Sequence, residues 1–388
     1  MDNEIDLGKI NILTGPNNSG KSSVIYGLLA LKNIVLNSNQ SLDNCLTPGF
    51  VNLGGFDQAV HLKNEIINIL LSIEVEKENI KSQYIASLGK SMSKLTLNVS
   101  KPSEVSFNLE VSFPYPTNKD ILAEIKGEFG SVYVKWNGIT AIVEFGDEKM
   151  GNRKEVNDIF ESISIPVEEL RGVDFIPLRR GFVKPVYSTV PMQQQLLTDD
   201  ELATLLATNR DLEGKVAFYL EKLVNRVFSV RSTIGTSYFN LQSRDRATGF
   251  VSDLVNEGFG TNQLVTILTK ALRKEVSTIC IEELEIHLHP ELMDKLIDVF
   301  IEIVKNENKN FIISTHSEHI VLSLLNKVAK KKIHPDDIRI YYLSKEGKET
   351  KIEKQEVNEK GQVSGGLKGF YETELKEVRE FFDISEEK

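Results

Sequence analysis

Residues 15–22 read Gly-Pro-Asn-Asn-Ser-Gly-Lys-Ser, which fits the pattern G-x-x-x-x-G-K-[ST]. The preceding residues, 9–14, predict a short apolar strand, and the sequence from Ser22 to about Asn33 has the spacing of a helix with a buried face. Between a strand and a helix, glycines let backbone N–H groups close around phosphate oxygens. The pattern therefore predicts a phosphate-binding loop. Its candidate ligands are Asn17, Asn18, Ser19, Gly20, Lys21, Ser22 and Ser23.

Two residues of this loop have separate predicted tasks. Lys21 would neutralise the β- and γ-phosphates of a nucleotide, and the hydroxyl of Ser22 would bind Mg²⁺. The alternative is a glycine-rich turn that matches the pattern by chance. The strand before the loop and the helix after it argue against that alternative.

Two later segments, residues 277–283 and 310–316, read as apolar strands that end in polar side chains. The first delivers Glu282 and Glu283, and the second delivers His316. Because ligands bind at the carboxyl edge of a parallel sheet, these side chains are expected near the phosphate loop. Glu282 would orient Mg²⁺ through water, while Glu283 and His316 would be catalytic, as the base for the attacking water and as a γ-phosphate contact. Taken alone, surface acids and a structural histidine are the plainer alternatives.

A second glycine-rich helix start occurs at residues 258–263, Gly-Phe-Gly-Thr-Asn-Gln, just before an apolar helix. Helix N-termini attract anions, so Gly258, Gly260 and Thr261 are candidate phosphate contacts. A plain helix cap is the alternative.

The histidines of Ile286-His-Leu-His-Pro290 raise the question of a metal site. His287 and His289 have a spacing found among strand ligands, but no third ligand with metal spacing is evident. The pattern favours a turn, with histidines facing a neighbouring subunit, over a zinc site.

The composition limits the kind of protein. The 388 residues include 46 Lys and Arg against 56 Asp and Glu, a formal charge of −10. This balance argues against a wholly basic nucleic-acid binder, because such proteins bind phosphate with clustered cations. Two cysteines, Cys45 and Cys280, suit a reducing compartment. Without a signal peptide or an apolar run of about 18–20 residues, a cytoplasmic protein outside the membrane is expected.

The chain changes character along its length. From about residue 258 to 343, strand and helix patterns alternate, which predicts a parallel sheet. By contrast, residues 95–99, 105–113 and 132–136 alternate apolar and polar positions, as half-buried antiparallel strands do. Residues 199–228 have helical spacing. The predicted domains are a core formed by residues 1–64 and 258–388, an inserted β-rich lobe at 65–195 and a helical lobe at 196–257.

Together these segments resemble the ABC-type ATPases outside transport, the SMC, RecF and OLD-like group. The closest resemblance is to compact AAA-type ATPases of bacterial anti-phage defence systems such as Septu, Gabija and PARIS. Residues 282–290, Glu-Glu-Leu-Glu-Ile-His-Leu-His-Pro, match the family's Walker B strand and D-loop, and residues 314–317, Ser-Thr-His-Ser, match its switch histidine. Residues 258–263 look like a degenerate signature motif. Residues 52–61 stand where the family has its Q-loop, which makes Gln58 a metal ligand by resemblance.

The resemblance covers about 1–61 and 258–370, and the middle of the chain matches in pattern only. Leu284 replaces the family's usual proline after the acids, and the signature lacks Ser-Gly-Gly. The first strand that usually precedes the Asp6 segment is missing. A further family-like segment, Phe175-Ile-Pro-Leu-Arg179, has no role that the sequence explains.

The resemblance implies an α/β fold, an ABC-type P-loop NTPase head with a parallel core sheet, an inserted antiparallel β-rich lobe and a helical lobe. It implies ATP and Mg²⁺ as ligands and hydrolysis of ATP to ADP and phosphate. Two heads, as a homodimer or within a higher homo-oligomer, would sandwich ATP at their interface, with each signature segment completing the partner's site. Hydrolysis would then drive a conformational switch.

Three uses of such a switch stay open. The first is a defence ATPase that controls an effector protein, a nuclease, in trans. The second is an ATPase of DNA repair that binds DNA, as RecF and SMC-like proteins do. The third is a scaffold that holds ATP constitutively, against which the intact Glu283 argues. No second cluster of carboxylates or histidines resembles a nuclease centre, so the chain itself is expected not to cut DNA.

Overall fold

The computed structural model describes residues 4–37, 39–47, 49, 51–78, 80–100, 106–115, 121–127, 130–145, 153–192 and 198–368. The helices of these residues are α1 (Lys21–Leu36), α2 (Leu42–Cys45), α3 (Phe56–Ala59), α4 (Arg153–Arg171), α5 (Asp199–Thr208), α6 (Arg210–Val224), α7 (Phe259–Ala271), α8 (Pro290–Glu307) and α9 (Glu318–Ala329). The first strands are β1 (Ile10–Thr14), β2 (Ile69–Lys77), β3 (Ile80–Leu88), β4 (Ser93–Ser100), β5 (Phe107–Phe113), β6 (Ile121–Gly127), β7 (Gly130–Trp136), β8 (Ala141–Phe145) and β9 (Val173–Ile176). The later strands are β10 (Tyr187–Ser188), β11 (Arg226–Ser232), β12 (Tyr238–Asp245), β13 (Val251–Asp253), β14 (Thr278–Glu282), β15 (Asn310–Ser314), β16 (Ile338–Glu346) and β17 (Glu349–Gln355).

The chain divides into two compact units, one formed by residues 1–23 and 174–388 and the other by residues 24–173. The first unit contains a sheet of order β17-β16-β1-β15-β14-β9. Strand β1 pairs in parallel with β15 on one side and with β16 on the other, and β14 pairs in parallel with β15. The predicted α/β fold with a parallel core sheet is therefore confirmed. The predicted domain bounds at 64, 195 and 257 stay a prediction.

The core strands are apolar on both faces because helices cover both sides of such a sheet. Every residue of β1 is buried, as is every residue of β14. Helix α8 has a clear start: Pro290 is its first residue, and the ring Nδ1 of His289 accepts a hydrogen bond from the backbone N–H of Glu291 at 3.3 Å. These local signals place α8 directly after the turn that follows β14.

The second unit is rich in antiparallel strands. Strands β2 to β5 form one antiparallel sheet and β6 to β8 another. A hairpin joins β7 to β8 after Trp136: Gly138 has a φ of 90°, and the side-chain oxygen of Asn137 accepts hydrogen bonds from the backbone N–H groups of Ile139 and Thr140. Period-two alternation thus predicted the right kind of strand here.

The helical prediction for residues 199–228 is partly wrong. Asn209 ends α5 and caps α6, its side chain accepting a hydrogen bond from the N–H of Leu212 at 3.1 Å. Asn225 ends α6 in the left-handed conformation, with a φ of 56°, and strand β11 begins at Arg226. Asparagine tolerates both positions because its short side chain bonds to nearby backbone.

Candidate functional site

The phosphate loop adopts a conformation that only its glycines permit. Gly15 has a φ of 139° and Gly20 a φ of 102°. A Cβ at Gly15 would lie 2.0 Å from the carbonyl oxygen of Leu343, and a Cβ at Gly20 would lie 2.9 Å from the hydroxyl of Thr350. That hydroxyl also donates a hydrogen bond to the carbonyl of Ser19 at 3.0 Å. Residues of the β16–β17 hairpin therefore pack against the phosphate loop.

The polar groups of the loop suit a phosphate. Lys21 is 7% exposed, and its Nζ donates hydrogen bonds to the carbonyls of Gly15 and Pro16 at 2.8 and 2.9 Å. Burial lowers the pKa of Lys21, while Glu283 and Glu285 act in the opposite direction. The hydroxyl of Ser19 is buried and has no hydrogen-bond partner among the described residues. The burial of the other candidate ligands follows: Ser22 and Gly20 are partly buried, and Asn17, Asn18 and Ser23 are exposed.

Glu282 and Glu283 lie at the carboxyl end of β14, as the sequence pattern predicted. Glu282 is the last residue of β14, lies opposite Ser314 of β15 and is 8% exposed. Glu283 follows in the left-handed conformation, with a φ of 41°, and its backbone N–H donates to the hydroxyl of Ser314 at 3.4 Å. The Glu283 carboxylate is 41% exposed, and its Oε1 lies 4.0 Å from Nε2 of His316. The structure thus brings the two predicted catalytic residues together.

The surroundings of His316 favour its neutral form. Burial lowers its pKa, and the charge of Lys21 lowers it further, although Glu283 and Glu285 pull the other way. A neutral ring keeps one nitrogen as a donor and the other as an acceptor.

Glu285 is a site residue to which the sequence argument assigned no role. Its Oε2 accepts a hydrogen bond from the hydroxyl of Thr315 at 2.8 Å, and its Oε1 accepts one from the backbone N–H of His316 at 2.6 Å. The carboxylate therefore fixes the segment that presents the imidazole. Its place as the third acid of Glu282-Glu-Leu-Glu285 was the available signal.

The glycine-rich segment before α7 differs from the phosphate loop. Gly258 caps the helix with a φ of −56°, and a Cβ there would meet nothing within 4 Å. A Cβ at Gly260 would lie 3.0 Å from the carbonyl oxygen of His287, so this helix start contacts the turn after β14. Phe259 is 62% exposed and its ring lies 4.9 Å from that of His287. Thr261 is partly buried, and phosphate contacts by this segment stay a prediction.

The remaining predicted ligand, Gln58, lies in α3 of the other unit, residues 24–173, and its role stays a prediction. His287 has a φ of 58°, and His289 caps α8. Among the residues that the structure describes, no group of three or more His, Cys, Asp or Glu side chains is placed to hold a metal ion. A magnesium ion bound mainly by phosphate and water needs only one or two protein oxygens, and the assignment of these to Ser22 and Glu282 stays a prediction.

None of the helices in the described part of the chain combines the length and apolar character needed to cross a membrane.

Comparison with known proteins gives one family match. Residues 192–321, about a third of the chain, match the AAA ATPase domain model. The matched range includes Gly258, Glu282, Glu283 and His316, and it leaves the phosphate loop outside. No curated protein matches the sequence.

Several solved structures are similar to the chain at low identity. The SMC head domain from Thermotoga maritima has 10% identity and a TM-score of 0.37, over 90% of this chain and 91% of that one. The Smc head domain with an extended coiled coil bound to the C-terminal domain of ScpA, from Pyrococcus furiosus, has 11% identity and a TM-score of 0.42, over 90% of each chain. A SmcHead bound to the C-winged helix domain of ScpA has 11% identity and a TM-score of 0.39, over 90% of this chain and 91% of that one. Scores this low assign no function.

Proposed function

We propose that the chain is an ATPase that hydrolyses ATP to ADP and phosphate. The observation that supports this best is a row across three neighbouring strands, in which Leu13 pairs with Ser314 and Ser314 pairs with Glu282. The phosphate loop, the acids and the histidine leave these strands at the same edge of the sheet. Carboxyl edges of parallel strands are where α/β proteins bind their ligands.

The loop would hold the nucleotide. Backbone N–H groups at the start of α1 would bind the phosphates, and Lys21 would supply a positive charge whose effect is strengthened by the low exposure of its side chain. When bound, Mg²⁺ would offset the negative charge of the β- and γ-phosphates. The hydroxyl of Ser22 and the carboxylate of Glu282 are the protein oxygens that fit it.

Glu283 would act as the base. Its exposed carboxylate at the sheet edge can accept a proton from a water molecule that attacks the γ-phosphate. The neutral imidazole of His316, 4.0 Å from that carboxylate, can donate a hydrogen bond to the γ-phosphate. Glu285 keeps the imidazole in place through its bonds to the backbone and to Thr315.

Paired substitutions test this assignment. Glu283→Gln keeps the shape but removes the base, so it should slow ATP hydrolysis at least ~10²-fold while ATP still binds. Lys21→Ala should weaken ATP binding itself. Glu359→Gln, at an exposed acid outside the β16–β17 hairpin, is the matched control and should change neither. A Glu283→Gln protein with full turnover would refute the assignment.

We further propose that hydrolysis switches an assembly of at least two copies. The N-terminus of α7 is open at Gly258 and flanked by the exposed Phe259, which suits contact with the nucleotide of a second copy.

The effector proposal, a nuclease controlled in trans, rests on the resemblance alone. DNA binding in the manner of RecF is the rival, and the formal charge of −10 weighs against it. Light scattering of Glu283→Gln with ATP, then DNA titration at two salt concentrations, separates these outcomes.

A further inference from the structure

Arg180 occupies an unusual position beside the acids. Its side chain is buried, and its guanidinium donates hydrogen bonds to backbone carbonyls of the turn after β14. Nη1 donates to Glu282 O at 2.7 Å, and Nη2 donates to Glu283 O at 2.9 Å and to Leu284 O at 3.4 Å. The remaining nitrogen, Nε, donates to the side-chain oxygen of Gln263 at 3.2 Å. One side chain thus bonds to three successive carbonyls where β14 ends and to helix α7.

The partners of this cation are mostly neutral. Burial lowers the pKa of Arg180 to about 10, and the charges of Glu285, Glu283 and Glu282 act against that shift. A different buried arginine, Arg273, has a carboxylate partner: its Nη1 lies 2.9 Å from Asp174. A guanidinium bonded to carbonyl oxygens fixes the position of the backbone, whereas one bonded to a carboxylate mainly compensates charge.

The turn needs such support. Glu283 has a φ of 41°, a conformation that side chains other than glycine rarely adopt unless the surroundings impose it. The carbonyls on both sides of this strained residue accept from Arg180. The guanidinium of Arg180 thus bonds to the backbone from which the Glu283 carboxylate projects, and not to the reacting groups.

The loop that carries Arg180 also forms hydrogen bonds with α7. The side chain of Asn262 accepts a hydrogen bond from the N–H of Phe182 at 2.7 Å and donates one to its carbonyl at 2.8 Å. Gln263, the partner of Arg180 Nε, is the next residue of the helix and is 1% exposed. Hydrogen bonds thus connect the start of α7 to the loop that carries Arg180 and to Arg180 itself.

We propose that Arg180 is a positioning residue that couples the N-terminal segment of α7 to the catalytic Glu283. This inference rests on the proposed ATPase function. It gives a role to Arg180, which directly follows the segment Phe175–Arg179 that the sequence alone did not explain. Contact of Gly258 and its neighbours with a nucleotide would, through Gln263 and Arg180, set the geometry of the base.

Substitutions of Arg180 and its neighbour separate this role from a general effect of charge. Arg180→Lys keeps a cation but loses the planar fork, so kcat should fall about 10- to 100-fold, as misplacement of a reacting group by about 1 Å does. The ATP dissociation constant should stay within about threefold, because the phosphate loop is unchanged. Arg179→Gln, at the exposed neighbouring arginine, should leave both values unchanged.

Gln263→Met tests the coupling without removing the arginine. It deletes one hydrogen bond, and kcat should fall roughly 2- to 10-fold. If both residues act along one route, Arg180→Lys combined with Gln263→Met should be no slower than Arg180→Lys alone. The proposal would be overturned if the two losses in kcat multiplied in the double variant. It would also be overturned by a folded Arg180→Lys protein with unchanged kcat. If Arg180→Lys does not fold, an unchanged kcat in Gln263→Met overturns it and the expected drop supports it.

The outcome also separates this proposal from the ATPase assignment. An unmodified protein that does not hydrolyse ATP at all refutes the assignment, and the coupling falls with it. An active protein whose Arg180 and Gln263 variants keep their kcat refutes the coupling alone.

Discussion

Two helices of this protein begin with glycine-rich segments, and the segments are built in opposite ways. Before α1, Gly15 and Gly20 have positive φ values, and a Cβ at either would meet atoms of the β16–β17 hairpin at 2.9 Å or less. Before α7, Gly258 has a φ of −56° and open space where a Cβ would stand. The two segments look alike in the sequence, but only the first has glycines that the backbone conformation and close contacts require.

The difference shows what each glycine is for. In the phosphate loop, glycine is required by the protein's own backbone, so a larger residue is excluded even without a ligand. At Gly258 the chain imposes no such requirement. A need for glycine there would have to come from something outside this chain, such as the nucleotide of a second copy.

The largest effect is expected at Gly15. Gly15→Ala places a Cβ 2.0 Å from the Leu343 carbonyl and forces alanine into a φ of 139°. Backbone strain and overpacking each cost about 1–3 kcal/mol, so the thermal unfolding temperature should fall and ATP binding should be lost. Gly214→Ala in α6, with open space and helical backbone, is the control and should stabilise the protein slightly. ATP titration and thermal unfolding of both variants decide the matter. Retention of full ATP affinity by Gly15→Ala would contradict the loop geometry.

Gly258→Asp should leave the fold intact and remove activity. Aspartate is a favourable helix N-cap, so stability should not decrease. Facing a partner's γ-phosphate at about 4 Å, its charge would cost roughly 4 kcal/mol at an effective dielectric constant of 20, which is enough to abolish hydrolysis. ATP binding to the isolated protomer should persist. Gly258 is a better test than Gly260, where a Cβ already lies 3.0 Å from His287 O.

Gly258→Asn supplies the same cap without the charge and should keep most of the activity. Mixing Gly258→Asp with Lys21→Ala should restore one intact composite site per mixed dimer. Failure of any mixture to recover hydrolysis, once subunit exchange has been demonstrated, would count against contacts between copies.

The smallest effect is expected at Phe259. Its side chain is 62% exposed, so Phe259→Ala should change the stability of the isolated protomer by less than about 0.5 kcal/mol. If the segment lies against a second copy, the ATP-dependent dimer of Glu283→Gln should nevertheless weaken. Analytical ultracentrifugation of the double variant measures this. An unchanged dimer would place Phe259 outside the interface.

The sequence predicted the core sheet well because local patterns decide it. The predicted strand segments 277–283 and 310–316 are observed as strands Thr278–Glu282 and Asn310–Ser314. Helix α4 was not predicted from the sequence, since Pro166 interrupts its helical pattern. Strand β17, Glu-Thr-Lys-Ile-Glu-Lys-Gln, was also missed, because a strand at the edge of a sheet can carry many charged residues.

The site was predictable where side chains carry the chemistry. Glu283 directly follows the apolar strand β14 and His316 lies two residues beyond β15, and that pattern was enough to expect them at one edge. Arg180 gave no such signal, because its main partners are backbone carbonyls about a hundred residues further along the chain. Every residue has a carbonyl, so the sequence cannot show which ones a distant arginine will bind.

The position of β1 in its sheet has a consequence for how the protein is made. Ile10 pairs with Phe311 and Ile338, so both neighbours of β1 are translated about 300 residues later. At roughly 5–20 residues per second, a ribosome needs about 15–60 s to cover that distance. Throughout this interval the nascent chain displays an apolar strand with two unpaired edges, which makes it a target for chaperones or for misassembly. Nucleotide binding cannot stabilise the early chain, because the β16–β17 hairpin that shapes the phosphate loop is translated after β1, β14 and β15.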